Sequence, residues 1–412
     1  KTPAGRGPRR RRRDDDLRSR QEREELEEKR RTTPAKNLTT CFALDGLPQE
    51  CIAPELQYEV RTKVHLVPAD GPNSGWRFQH LVRKGFETHP AIEPVLDPRH
   101  AQFVLWMPIS TRAVPTQAGV TPTNLVVLDE GDGAGAYTKI KEFEYLIYLK
   151  RSWVSKRDGA YAGAGKRYAR NYYPMAYSVS DSYFDPRKTK SGSQRTLDVV
   201  CSNRPTERQP TRARVVKWVS EFLDSTSRQG VAGEVNGAGR REINDAYFAA
   251  MRNAKIVVTA NPSHWEGDFR FFEAVASGAL VFVDEMYVPH PRPFRHMEHV
   301  VVYDNSDREA FLRLLQYYLD HPLEARRVAL NGLRHALRYH RSVSRMDWIL
   351  RSAHEVAAGT ADKGRYTHTA KQIAFDVNST TQVPPVLDVA SRALRAERVD
   401  FKLNLGRTSP IT

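Results

Sequence analysis

The residues best suited to chemistry lie in one short stretch, NPSHWEGDFRFFEAVASGALVFVDE, residues 261–285. A loop leaves an apolar run at Asn261, and an apolar, helix-spaced run begins near Asp268. The first turn of such a helix carries unpaired N–H groups and the positive end of the helix dipole, both suited to a phosphate. Arg270 falls in that turn and offers a planar fork for two phosphate oxygens. Glu273 lies three residues on, on the same helix face. A carboxylate there can accept hydrogen bonds from both hydroxyls of a ribose. Trp265, in the preceding loop, presents an aromatic face for stacking on a sugar or base, or simply packs within the loop. Surface charge is the competing account of Arg270 and Glu273, with the two as an ion pair.

Two other stretches carry candidate groups. SNRPTER (202–208) follows an apolar run, and Asn203 and Arg204 can serve as donors in a phosphate loop or sit in a plain turn. LVVLDEGDGAG (125–135) ends a run on an acidic loop. There Asp132, or else Asp129, suits a general base that takes the proton of an acceptor hydroxyl. The same cluster admits a divalent cation, or a turn without chemistry. Its spacing is Asp-x-x-Asp, and we favour Asp132 as the base with no metal. The three cysteines, Cys41, Cys51 and Cys201, have no zinc-type spacing. Cys41 and Cys51 flank a short loop and suit a disulfide in an oxidising compartment, or remain thiols.

The elements that must hold these groups are legible as alternating apolar patterns. Strands are expected at 62–68, 101–108, 124–130 and 143–152, with a helix at 75–86. A second series follows: strands at 196–204, 230–235, 255–262, 279–285 and 299–305, and helices at 212–223, 245–254 and 269–278. Three further helices are expected around 307–320, 323–340 and 344–358. Strands alternating with helices predict parallel sheets with crossovers, whose ligands sit at the strand ends. The Ser-, Lys- and Gly-rich stretch 180–195 marks a domain boundary.

Residues 1–36 carry 14 Lys+Arg against 8 Asp+Glu, and the other 376 residues still carry +9 of the net +15. The basic body favours anionic ligands. The arm mixes both signs and has no aromatics for base stacking, so no nucleic acid is expected as a partner. No run of 18 apolar residues occurs. We expect a mature or trimmed form, with room for a membrane anchor upstream of Lys1. The sequons Asn37-Leu38-Thr39 and Asn378-Ser379-Thr380 lean toward a secretory lumen, with the cytoplasm as the alternative.

The 261–285 stretch resembles the donor-binding segment of GT-B-type glycosyltransferases. Pro262, Ser263, Glu266, Gly267, Glu273, Ala274 and Gly278 match it. Glu266 and Glu273 are seven apart, where the retaining families set such glutamates eight apart. The Arg270-Phe-Phe-Glu273-Ala pattern is more similar to the exostosin-like and spore-coat-type families. In those, the resemblance implies, the Arg faces the diphosphate and the Glu the ribose. The likeness runs on to Tyr303-Asp304. A second one covers the acidic loop at 125–135, YLIYLKRSWV (145–154) and YYPMAYSVSD (172–181). It places Lys150 and Arg151 at the domain interface, where ordinary surface charge is the alternative.

The resemblance implies an α/β fold: two Rossmann-like domains facing a central cleft, with a charged N-terminal arm. The divisions are 1–54 (arm and linker, partly disordered or a stem), 55–190 (acceptor domain), 195–360 (nucleotide-sugar domain) and 361–412 (extension). The implied activity is metal-independent transfer of a hexosyl or pentosyl group to a glycan or glycoprotein. The donor would be a UDP- or GDP-linked sugar, a substrate and not a resident cofactor. A catalytically inactive scaffold or polysaccharide-binding subunit is the other reading.

Overall fold

The computed structural model describes residues 38–42, 49–68, 76–108, 115–131, 135–137, 143–153, 171–179, 190, 194–203, 209–233, 245–261, 267–284, 286, 292–361 and 375–376. The chain divides into two units, Lys1–Leu38 and Thr39–Thr412, and the second holds every strand and helix described. The arm expected over 1–36 lies outside the described residues.

The second unit begins with a hairpin, β1 (Thr40–Phe42) and β2 (Glu50–Ile52), antiparallel with Cys41 opposite Cys51. The two cysteines form a disulfide, and Cys201 is a buried thiol. Six strands then make a parallel sheet: β3 (Thr62–Leu66), β4 (Ile92–Pro94), β5 (Phe103–Trp106), β6 (Leu125–Asp129), β7 (Ile147–Lys150) and β8 (Tyr172–Pro174). Their order is β4-β3-β5-β6-β7-β8. Every residue of β5, β6 and β7 is buried, as unbroken apolar runs in a sheet covered on both faces must be. The short strands β4 and β8 were not anticipated, because three residues of mixed polarity leave no periodic signal.

A second parallel sheet is built from β9 (Leu197–Cys201), β10 (Gly230–Ala232), β11 (Ala254–Thr259), β12 (Leu280–Asp284) and β14 (Val301–Tyr303), in the order β10-β9-β11-β12-β14. Between β12 and β14, β13 (Phe294–Arg295) pairs with β15 (Phe375–Asp376).

The helices are α1 (Trp76–Thr88), α2 (Pro210–Thr226), α3 (Asp245–Asn253), α4 (Phe269–Ala276), α5 (Arg308–Asp320), α6 (Pro322–Tyr339) and α7 (Ser342–Ala357). Their ends follow from local chemistry. Pro210 and Pro322 open α2 and α6, where a missing N–H costs nothing. Asp307 caps α5 by accepting from the Ala310 N–H at 2.9 Å. Gly278, at φ 72°, ends α4 in the left-handed region that glycine tolerates best.

One face of the second sheet (Val199, Ile256, Phe282) packs against Trp218, Phe222, Phe311 and Leu314 of α2 and α5. The other face (Val200, Val257, Val281) joins Phe271, Phe272 and Val275 of α4 in a core that continues to Val126, Leu128 and Leu149 of the first sheet. The two halves therefore share apolar contacts.

Helix α7 follows the second half in sequence but packs on the first. Gly85 of α1 lies so close to it that a Cβ there would meet the Ser342 carbonyl at 2.4 Å. The Asp347 carboxylate, Oδ1, accepts from Gln57 N–H at 2.9 Å and Tyr58 N–H at 2.8 Å, and lies 3.3 Å from His89 Nε2. Trp348 and Arg345 donate to the carbonyls of Pro174 and Tyr177. At the other chain end, Phe42 and Ile52 of the hairpin pack on Leu333 and Leu337 of α6, and Glu50 accepts two bonds from Arg334 Nε at 3.0 and 2.8 Å. Residues read as linker thus form part of the second half's surface.

Removing the Asp347 carboxylate strands one buried and one part-buried backbone donor and a histidine. Asp347→Ala is expected to lower unfolding free energy by about 2–3 kcal/mol, read by urea denaturation. A loss under about 0.5 kcal/mol, the size of a surface substitution, would show that α7 is held without this bond set.

Candidate functional site

The strand-end groups of the second sheet meet around the N-terminus of α4. Asp268 is the N-cap: its Oδ1 accepts from Phe271 N–H at 3.2 Å. Its Oδ2 accepts from Arg270 Nη1 at 3.0 Å and from Arg212 Nη2. Arg212, on α2, also donates to the Ala260 carbonyl at 3.0 Å and to Gln209 Oε1 at 3.2 Å. It therefore grips both roots of the loop between β11 and α4. Asp284, the last residue of β12, takes the loop's first backbone group, Asn261 N–H, at 2.8 Å on Oδ1. Its Oδ2 accepts from Asn305 Nδ2 at 2.9 Å.

Arg270 is 8% exposed, and its Nε is buried with no hydrogen-bond partner. Burial pulls its pKa down, but Tyr247, Asp268 and Glu273 more than reverse this and fix the positive charge. Glu273 is almost as buried, and its Oε2 accepts from Tyr247 of α3 at 2.6 Å. Burial, and then the Glu273 charge, hold the Tyr247 hydroxyl protonated, so it stays a donor.

Asn203, just past β9, is fully buried. Its Nδ2 approaches Cys201 Sγ at 3.5 Å, and its Oδ1 has no partner, like the Oγ of neighbouring Ser202. Burial pushes the Cys201 thiol up to about 12, so it is not a thiolate nucleophile at neutral pH. Arg270 and Arg212 act on that thiol electrostatically, which puts the β9 end and the α4 N-terminus in one neighbourhood. An orphaned buried polar atom costs stability. Arg270 Nε at a helix N-terminus has the polarity an anion would satisfy.

On the first sheet, Lys150 donates to Asp129 Oδ2 at 3.0 Å and to the Gly131 carbonyl at 2.8 Å. Asp129 also accepts from the Tyr148 hydroxyl on Oδ2 and from Gly131 N–H at 2.7 Å on Oδ1. So enclosed, Asp129 is an anchor for its loop and not a base open to substrate. Arg151 donates to the Glu130 carbonyl at 3.0 Å and to the Gly267 carbonyl at 3.2 Å, and lies over the Tyr177 ring. Tyr177 stacks on Phe269 at 3.7 Å. Arg151 thus ties the first sheet's strand-end loop to the residue before the Asp268 cap.

Of the residues singled out in the sequence, Arg270, Glu273 and Asn203 come together at the second sheet's strand ends. Arg151 bonds to a carbonyl of each half and Lys150 to groups of the first, both buried and engaged with protein groups rather than exposed as surface charge. Asp132, Arg204 and Trp265 lie outside the described residues, as does Glu266. Arg212, Tyr247 and Asp284 also belong to the site, without a sequence signal. Nothing local marks them, since each acts across 21 residues or more. Asp268 had a signal: a capping residue directly before an apolar helical run. Among the described residues no three or more His, Cys, Asp or Glu side chains are grouped to hold a metal, and no helix is long and apolar enough to cross a membrane.

Two parallel α/β halves with polar groups at their strand ends are the architecture expected of the GT-B class. Residues 208–351 match the glycosyl transferase-like family, a span from the start of α2 into α7. A search of curated proteins finds no match. Among solved structures, an alpha-glucosyltransferase in complex with UDP and a 13-mer DNA containing a HMU base superposes with TM-score 0.47 at 10% identity, over 72% of this chain and 99% of that one. Anabaena Alr3699/HepE in complex with UDP and glucose gives 0.45 at 9%, over 71% and 100%. A glycosyltransferase from Rickettsia africae gives 0.45 at 10%, over 74% and 100%. At such values the likeness is loose, and the fold class rests on this chain's own strand order.

Burial lifts the Asp284 carboxyl to about 7, against the hydrogen bonds from Asn305 and Asn261 that lower it. A folded pKa above the unfolded one means that the native state holds the extra proton between about pH 4 and pH 7. The stability Asp284 contributes is full below about pH 4 and is lost as pH rises through 7. Asp284→Asn removes this dependence, so the variant should gain on the parent as pH goes from 4 to 8 in urea unfolding. A difference that does not change with pH would show that Asp284 is charged throughout.

Proposed function

We propose that this protein is a glycosyltransferase using a nucleotide-diphosphate sugar, UDP- or GDP-linked. It would move the hexosyl or pentosyl group to a glycan or glycoprotein acceptor without a metal, as the exostosin-like resemblance implies. The observation that carries the reading is Arg270: a buried guanidinium in the first turn of α4, its Nε without a partner, at the C-terminal edge of a parallel sheet. The family match over 208–351 contains this helix and supports the reading.

In the reading, the diphosphate lies at the N-terminus of α4. Arg270 and the helix N–H groups take up the negative charge that grows on the leaving group. Glu273, held on one oxygen by Tyr247, faces the ribose. Asn203 and Arg204 line the loop after β9, and Trp265 the loop before α4. The acceptor approaches from the first half, where Asp132 takes the proton of its hydroxyl; Asp129, enclosed by its donors, is set aside for that role. Catalysis then comes from positioning two substrates and stabilising the departing diphosphate. The Cys41–Cys51 bridge supports an oxidising secretory lumen such as the Golgi.

Arg270→Ala removes charge-assisted bonds, so UDP or GDP binding should weaken roughly 10- to 100-fold. Transfer from a panel of nucleotide-sugars should vanish while the thermal midpoint stays within a few degrees. Calorimetry, donor-hydrolysis assays and thermal unfolding read these out. Full activity in this variant would sink the assignment.

A further inference from the structure

The arrangement around Asp268 goes further than a helix cap. One carboxylate oxygen receives two guanidinium groups, and the other receives the α4 backbone. The two arginines are not equivalent. Arg212 is 1% exposed and gives Nε to the Ala260 carbonyl, Nη1 to Gln209 and Nη2 to Asp268, so it faces the protein. Arg270 gives only Nη1, to Asp268, and its Nε is buried and unpartnered. A guanidinium's Nε lies on the edge opposite the side of Nη1, together with Nη2. Fixing Nη1 on a carboxylate therefore turns the Nε/Nη2 edge away from that carboxylate. This edge is the fork that matches two oxygens of a phosphate.

We propose that Asp268 is a positioning residue that presents the Nε/Nη2 edge of Arg270 to a phosphate of the donor, with Arg212 as the counterweight that keeps Asp268 in place. The proposal rests on the donor-site reading and adds which edge of Arg270 binds and what sets it. The electrostatics agree. Arg212 and Arg270 lie out of water beside the Asp268 and Glu273 carboxylates, so the Arg270 charge is held, while its unpartnered Nε still needs an acceptor that a phosphate oxygen can supply. With no carboxylate on Nη1, the Arg270 fork has several rotamers to choose from. With Asp268 in place it is set before the ligand arrives, and less order is lost on binding.

The test separates phosphate contacts from general damage to the site. UDP and GDP are titrated into the whole protein, and whichever binds is compared with its nucleoside. Asp268→Asn keeps an oxygen to cap α4 but brings an amide donor where the arginines need an acceptor. Arg270→Lys leaves the cap alone and keeps the charge, but has no Nε edge, so it tests the same idea should Asp268→Asn not fold. In both variants the nucleoside diphosphate should bind at least ten-fold more weakly while nucleoside affinity stays within two-fold. In steady state the loss should appear in KM for the donor as well as kcat. Equal losses for diphosphate and nucleoside, or unchanged diphosphate binding in Arg270→Lys, would overturn the proposal. Failure of the unaltered protein to bind either diphosphate would instead strike the donor-site reading itself.

Discussion

Two guanidinium groups meet one carboxylate out of water at the start of α4, and much of the site depends on that meeting. A buried carboxylate with one cation is a neutral pair. With two, the carboxylate holds both cations, and its own place is fixed because Asp268 and Arg212 are also tied elsewhere. Arg212 brings α2 and the end of β11 to the cluster, and Asp268 brings the helix. Asp284 holds the same loop from β12. The loop's two roots are thereby set by side chains from three elements.

The same logic governs the junction of the halves. Arg151 divides its guanidinium between two carbonyls, Glu130 and Gly267, one from each half. The Gly267 carbonyl belongs to the residue directly before the Asp268 cap. Anything that shifts the first sheet's strand-end loop therefore bears on the cap through a single carbonyl. Tyr177, stacked on Phe269 and lying under Arg151, adds an apolar contact to the same joint.

Much of this was legible in the sequence. The short apolar runs LVVL and LVFV, each closed by an Asp, suit buried strands of a parallel sheet, and that is what they form. FRFFEAVA between Asp268 and Gly278 carried its own start and stop signals. Arg270 and Glu273 were readable because helical spacing puts them on one face. Arg212, Tyr247 and Asp284 were not, because their roles exist only once distant segments pack, and an arginine in a basic, amphipathic helix reads as surface. Asp129 was misleading for a related reason: an acidic strand-end loop looks available until Tyr148 and Lys150 close over it. The destination of α7 was hidden too. Its apolar stripe declares that it will be buried but not against which sheet.

That last feature bears on how the chain can fold as it is made. The first sheet is finished by β8 at residue 174, yet the face that receives α7 stays uncovered until residues 342–357 have been synthesised. The second half, conversely, takes the Cys41–Cys51 hairpin from the beginning of the chain. Each half borrows its last piece from beyond the other half in sequence. No single cut between them yields two complete bodies, and a ribosome-bound chain must carry a half-covered first sheet while residues 175–357 are made.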